Sequence, residues 1–172
     1  MLITNITAIF LLLVVSASFS AGEIAFTSLN ARRLRRAAED GDKKSALAVE
    51  IYDHFDDALS AILISNNLVN IAASSVATVL AISLAGEAGA GIASIVMTVL
   101  IVLFGEITPK ILAKRNCDAF ARQASYPLRT IMLALKPAVK ASLFIVEALA
   151  RALGAGEKAG PAMTEEELTA IL

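Results

Sequence analysis

Three long stretches without charge organise the chain. Met1–Phe19 carries no charged side chain, and neither does Ala58–Ala85 or Ala88–Phe104. Crossing about 30 Å of hydrocarbon takes roughly 20 helical residues. The pattern therefore predicts three transmembrane helices, over about 2–24, 58–85 and 90–112. The third runs through "FGEITPK", Phe104–Lys110, where a glycine, a glutamate, a threonine, a proline and a lysine break into an apolar run. The first stretch lacks a positively charged start and is longer than a signal-peptide core, so it reads as a span and not as a cleaved leader.

The remaining segments are polar or mixed. Residues 30–57 read as a polar, partly helical connector broken at Gly41. Leu47, Ile51, Phe55 and Leu59 recur every four residues, which predicts a helix leading into the second span. Asp53, His54, Asp56 and Asp57 read as a solvated helix end. Pro127 and Pro137 divide the stretch 118–154, and charges punctuate its short apolar runs. That predicts juxtamembrane helices over about 118–153, interfacial or re-entrant. A fourth span is the alternative, and it would force Lys136 or Lys140 into lipid. Residues 155–172 read as a linker and the start of a truncated cytoplasmic region. There Thr164 and Glu167 form a capping box for a helix that stops after about two turns.

Composition agrees with the pattern. The 172 residues are 57% hydrophobic with a mean hydropathy of +0.71, more apolar surface than so small a soluble domain could hide. The fold class is an all-α integral membrane protein, with 1–154 as its membrane domain. A net charge of −1 gives no reason to expect nucleic acid as a partner. The distribution of charge says more. "ARRLRRAAEDGDKK" after the first span holds six basic residues, "KILAKRN" at the end of the third holds three, and the "GEAGAG" loop holds none. The positive-inside rule then puts the N-terminus and the Gly86–Gly91 loop outside, with the chain beyond Arg115 starting in the cytoplasm. Cys117 and His54 are the only cysteine and histidine, which leaves no disulfide framework and argues against zinc or iron–sulfur.

Polar side chains inside the spans are the candidate chemistry. Ser16, Ser20, Glu23 and Thr27 fall within a wedge of roughly 60° on the first helix. Asn66 and Asn70 share a face of the second, while Asn67 is turned away and suits helix–helix hydrogen bonding. In the third, Pro109 has no N–H to donate, so in an α-helix the carbonyl of Gly105 loses its partner beside Glu106. Broken helices at membrane depth are where transporters place ion sites. Two readings stay open on the residues alone. One is a kinked helix with an internal Glu106–Lys110 ion pair. The other is a site for a hard cation, magnesium, sodium or calcium, built from carboxylate, carbonyl, hydroxyl and amide oxygens.

Taken together, "SASFSAGEIAFTSLNARRL", "NNLVN" and "GEITPKILAKRN" resemble the transmembrane domain of the CNNM/CorC family of magnesium transporters. The tail "MTEEEL" is similar to that family's junction with a cytoplasmic CBS-domain pair. The resemblance implies a homodimer in the inner (plasma) membrane, with three spans per subunit and a belt of juxtamembrane helices. It implies no enzymatic activity, but magnesium transport by alternating access, as sodium-coupled export, with Mg2+ as the transported ion and Na+ as its counter-ion. It implies an ion site at Ser16, Ser20, Asn70, Gly105 and Glu106 with Asn66 nearby. Glu23, Pro109 and Lys110 support that site; Pro109 keeps the helix broken and Lys110 neutralises Glu106. A non-transporting membrane scaffold or sensor, and a divalent cation channel, are the alternatives.

Overall fold

The computed structural model describes residues 2–152, and the expected linker and capping-box helix at 155–172 lie outside the described residues. Its elements are α1 (Leu2–Ser28), α2 (Ala31–Glu39), α3 (Lys43–Asp53), α4 (Phe55–Ala85), α5 (Ala88–Leu100), a π-helical segment (Ile101–Ile107), α6 (Thr108–Lys114) and α7 (Cys117–Ala152). No strand occurs among the described residues, so the architecture is all-α as expected. The chain divides into two units at Leu135; the packing discussed here lies in the first, and the second holds the later part of α7.

Three helices are long and apolar enough to cross a membrane: Leu2–Ser28, Phe55–Ala85, and the continuous run Ala88–Lys114 made of α5, the π segment and α6. Their outward faces carry large apolar side chains such as Ile3, Phe10, Leu68, Ile71, Ile95 and Phe104, all exposed and suited to hydrocarbon. α1 is the helix that packs against α4, the π segment and α6 alike. Between α4 and α5 the chain turns at Gly86, whose φ of +66° favours glycine and whose N–H caps the Ile82 carbonyl.

Two apolar clusters hold these helices together. One gathers Ala73, Ala77, Met97 and Ile101 with Ile9, Leu12 and Leu13, toward the α4–α5 turn. The other joins Ala25 and Phe26 of α1 to Leu34, Leu47, Ile51, Ile62, Ala121 and Leu128 at the end bearing the basic connectors. On the first two spans Ser16, Ser20, Asn66 and Asn70 fall between these two clusters.

The connector is a helical hairpin, α2 and α3, turning at Gly41 (φ +95°) as the sequence suggests. Asn30 caps α2 by accepting from the Arg33 N–H, and Asp42 caps α3 by accepting from the Lys44 N–H. Ion pairs Arg33–Asp118 and Arg122–Asp42 fasten it to α7 at 3.4 and 2.9 Å, and Arg129 pairs with Glu50.

Two expectations need correction. The helix carrying Leu47 and Ile51 does not run into the second span, because α3 stops at Asp53 and α4 starts at Phe55. His54 ends the ladder: its N–H bonds the Ile51 carbonyl three residues back, and its backbone sits at φ −116°, ψ 45°. Nor do Pro127 and Pro137 divide the C-terminal segment, since α7 is one helix through both. Both prolines are exposed, and the carbonyls they leave unpaired belong to the exposed Gln123 and Leu133, so the loss falls on the outer face of the helix.

Candidate cation site

The site is built from the middle turns of three spans. On α1, Ser16 and Ser20 are fully buried, Glu23 is half-buried, and Thr27 is exposed. Thr27 turns its hydroxyl back to the carbonyls of Glu23 and Ile24, so it leaves the polar face. The two serines stay on it.

From α4, Asn66 and Asn70 reach the same serine. The Ser16 hydroxyl oxygen lies 2.9 Å from Asn66 Oδ1 and 2.7 Å from Asn70 Oδ1. A hydroxyl has one proton, so it can donate to only one of these amide oxygens at a time. Three oxygens therefore converge with a single hydrogen between them. Asn70 turns its amide nitrogen to Glu106, donating to Oε1 at 3.3 Å. Asn67 is exposed and makes none of these contacts.

The third span reaches the site through an unusual backbone. Ile101–Ile107 is π-helical, with Thr108 N–H bonding the Leu103 carbonyl five residues back. Carried on by one residue, that register assigns the missing N–H of Pro109 to Phe104, one position before the Gly105 expected from α-helical spacing. The helix break is thus a widened turn ahead of the proline, the kind of feature that recurs at functional sites. Gly105 has a further role of its own. A Cβ built on it would stand 2.9 Å from Ser16 Oγ, so any larger residue would force that hydroxyl to move, and glycine lets the π segment lie against α1 with Ser16 in place.

The charges are arranged otherwise than the local spacing suggests. Lys110 does not pair with Glu106, one turn away on its own span. It bonds Glu23 of α1, with Nζ 3.1 Å from each carboxylate oxygen. The kinked helix with an internal Glu106–Lys110 pair is therefore not what forms. Among the described residues Glu106 enters no ion pair, and Asn70 is its one hydrogen-bonded side chain. A half-buried carboxylate in a span without a cation beside it is costly unless something positive comes to it.

Ser20 adds a second unanswered group. Its Oγ is buried and has no hydrogen-bond partner. Buried hydroxyls are rarely left so, and one on the face shared with Ser16 is available as an oxygen ligand. No cluster of three or more His, Cys, Asp or Glu occurs among the described residues, so the site has one carboxylate and otherwise neutral oxygens. That donor set suits a hard cation. The spacing in the sequence brought Ser16, Ser20, Asn66, Asn70, Gly105 and Glu106 forward; the fold brings Ser16, Asn66, Asn70, Gly105 and Glu106 together, with Ser20 one turn further along the same face of α1. It did not reveal the Glu23–Lys110 contact, for which the only signal was that Glu23 shares the serine face.

Comparison with known proteins adds relatives. The family model described as the cyclin M transmembrane N-terminal domain matches residues 6–172. A UPF0053 protein of Haemophilus influenzae is 40% identical over 127 residues, covering 74% of this chain and 30% of the relative. The UPF0053 inner membrane protein YfjD of Escherichia coli is 34% identical over 140 residues, 81% of this chain and 33% of its own. A chloroplastic DUF21 domain-containing protein of Arabidopsis thaliana is 34% identical over 161 residues, 94% of this chain and 24% of its own. The chain thus spans about a third or less of the length of these relatives.

Proposed function

Because this chain belongs to the cyclin M (CNNM) transmembrane-domain family, and is a membrane protein by that membership and by its three apolar helices, we propose that it moves magnesium ions across the membrane. The observation that carries this reading is the unpaired Glu106 carboxylate beside the Ser16, Asn66 and Asn70 oxygens, with the orphaned Ser20 hydroxyl on the same face of α1. Magnesium gives up water reluctantly, so a site that strips it needs several oxygens to replace the shell. Ser16, Ser20, Asn66, Asn70 and Glu106 supply side-chain oxygens, and the Phe104 carbonyl, the one the proline leaves unpaired, is the backbone candidate in place of that of Gly105. Glu106 balances one of the two charges.

Transport is by alternating access, as export coupled to sodium, from a homodimer in the plasma membrane with the basic connectors in the cytoplasm. The protein is a carrier and no enzyme. A CBS-domain pair in the remaining length is the expected regulatory partner. A scaffold is the second reading, and one observation favours it: the Ser16–Asn66, Ser16–Asn70 and Asn70–Glu106 bonds by themselves join three spans. It leaves the Ser20 hydroxyl and the Glu106 charge without a purpose.

The test is flux. Purified protein in liposomes loaded with a magnesium-sensitive dye should pass magnesium, and Glu106→Ala should abolish this while remaining monodisperse. No flux in either direction, with Glu106→Ala equally silent and equally stable, would leave the scaffold. Flux indifferent to a sodium gradient would remove the coupling and leave a uniporter or channel.

A further inference from the structure

We propose that the Glu23–Lys110 ion pair is the closing contact of the cation site on the side of the basic connectors, and that it parts to let a cation pass; the inference rests on reading the site as one for a cation. The pair ties α1 to α6, with Lys110 Nζ 3.1 Å from both Glu23 oxygens. These are the two walls of the site. α1 carries Ser16 and Ser20, and α6 continues the π segment that carries Gly105 and Glu106.

The pair occupies the same level on both walls. Glu23 follows Ser20 by three residues on one face, and Lys110 follows Glu106 by four, each toward the basic end of its span. Three or four residues are one helical turn, about 5 Å along the axis. The ion pair therefore lies one turn beyond Ser20 and Glu106 and two beyond Ser16, and Ser20 just behind it is fully buried.

Its partner choice argues against an incidental surface bridge. Lys110 has Glu106 at i−4 on its own helix, the spacing at which such pairs form locally. It crosses to α1 instead. The two side chains are only 36% and 24% exposed, so the contact is less screened than a surface pair.

The same chemistry lets it open. Separating the pair would strand a half-buried carboxylate, unless a cation replaces the ammonium. A cation arriving from the basic side meets Glu23 first and can take the place of Lys110 there. The freed ammonium then turns out into the water on the basic side, where it stays solvated. Glu23 thus serves as the first station for the ion, and Lys110 as the tethered charge that closes the route once the ion has gone.

A thiol reporter tests this without relying on transport. In a Cys117→Ser background, Ser20→Cys places the reporter behind the pair, and inverted membrane vesicles present the basic side to a charged maleimide. Lys110→Met and Glu23→Gln should each speed labelling several-fold, and the exchange Glu23→Lys with Lys110→Glu should restore the slow rate. Equal rates in all of these proteins would overturn the proposal. If these variants aggregate, the polar replacement Lys110→Gln covers the same ground without adding a thiol. Labelling of the reporter no faster in Lys110→Gln than in the parent would overturn it as well. Labelling that follows the pair in a protein without magnesium flux sinks the transport reading and keeps the closing contact. Flux with labelling indifferent to the pair does the reverse.

Discussion

Ser16 and Gly105 stand so close that a methyl group on the glycine would lie 2.9 Å from the serine oxygen. That oxygen is also the one both asparagine amides share. Packing and polar chemistry meet at a single atom.

Gly105→Ala should therefore act on both. Overpacking of this kind costs about 1–3 kcal/mol, and the hydroxyl would be pushed out from between Asn66 and Asn70. Thermal unfolding in detergent should show the loss. Adding Ser16→Ala removes the clashing oxygen and leaves the serine Cβ at an ordinary 3.6 Å, so stability should return while magnesium flux does not. Recovery of flux in the double variant would show that the Ser16 oxygen is dispensable.

Ser20→Ala should separate stability from binding. Its hydroxyl is buried without a partner, so deleting it relieves a desolvated group and should raise stability by about 1 kcal/mol or leave it level. Magnesium affinity should fall in the same variant. A variant that is less stable and binds magnesium normally would mean the hydroxyl has a structural partner instead.

Glu106→Gln keeps an acceptor for Asn70 and removes the charge. The wild type should melt higher as magnesium is added; at about ten times Kd the expected gain is about 1.4 kcal/mol. The glutamine variant should show no such rise, with a melting point in plain buffer close to the wild type. A magnesium-dependent shift that survives the change would place the ion elsewhere.

Asp42 makes acid a test of the connector hairpin. The Ser45 hydroxyl donates to its carboxylate at 2.6 Å, the Lys44 N–H and the Arg122 guanidinium add to this, and together they hold its pKa below the ordinary value despite some desolvation. A lowered folded pKa contributes stability above the unfolded value, near 3.8, that is lost as pH falls through the folded one. Ser45→Ala should loosen the hairpin at neutral pH, seen as faster proteolysis at the Gly41 turn. The difference from wild type should shrink below the usual carboxylate range. A gap that stays constant with pH would mean that packing of the buried Ser45 matters and its hydrogen bond does not.

Much of this protein was legible in one dimension. The uncharged stretches mark the three spans because the bilayer rewards length and apolarity over a window, whatever lies beside it. The polar face of Ser16 and Ser20, and the shared face of Asn66 and Asn70, follow from helical periodicity alone. A proline must leave a carbonyl unpaired, so a break near Glu106 was also readable. Which carbonyl it is depends on the register, and the π turn that shifts it to Phe104 arises where the span lies against α1. The passage of α7 through Pro127 and Pro137 was hidden for a related reason: whether a proline ends a helix depends on which face its lost bond opens to.

The charges divide most sharply between sequence and fold. Along the helix, Glu106 is the natural partner for Lys110, because four residues always bring two side chains together. Glu23 lies 87 residues away, and only the crossing of α1 with α6 brings it within 3.1 Å. Sequence alone determined which residues line each helix face. The tertiary structure decided which faces meet, left Glu106 without a cation among the described residues, and set an ion pair one turn beyond it.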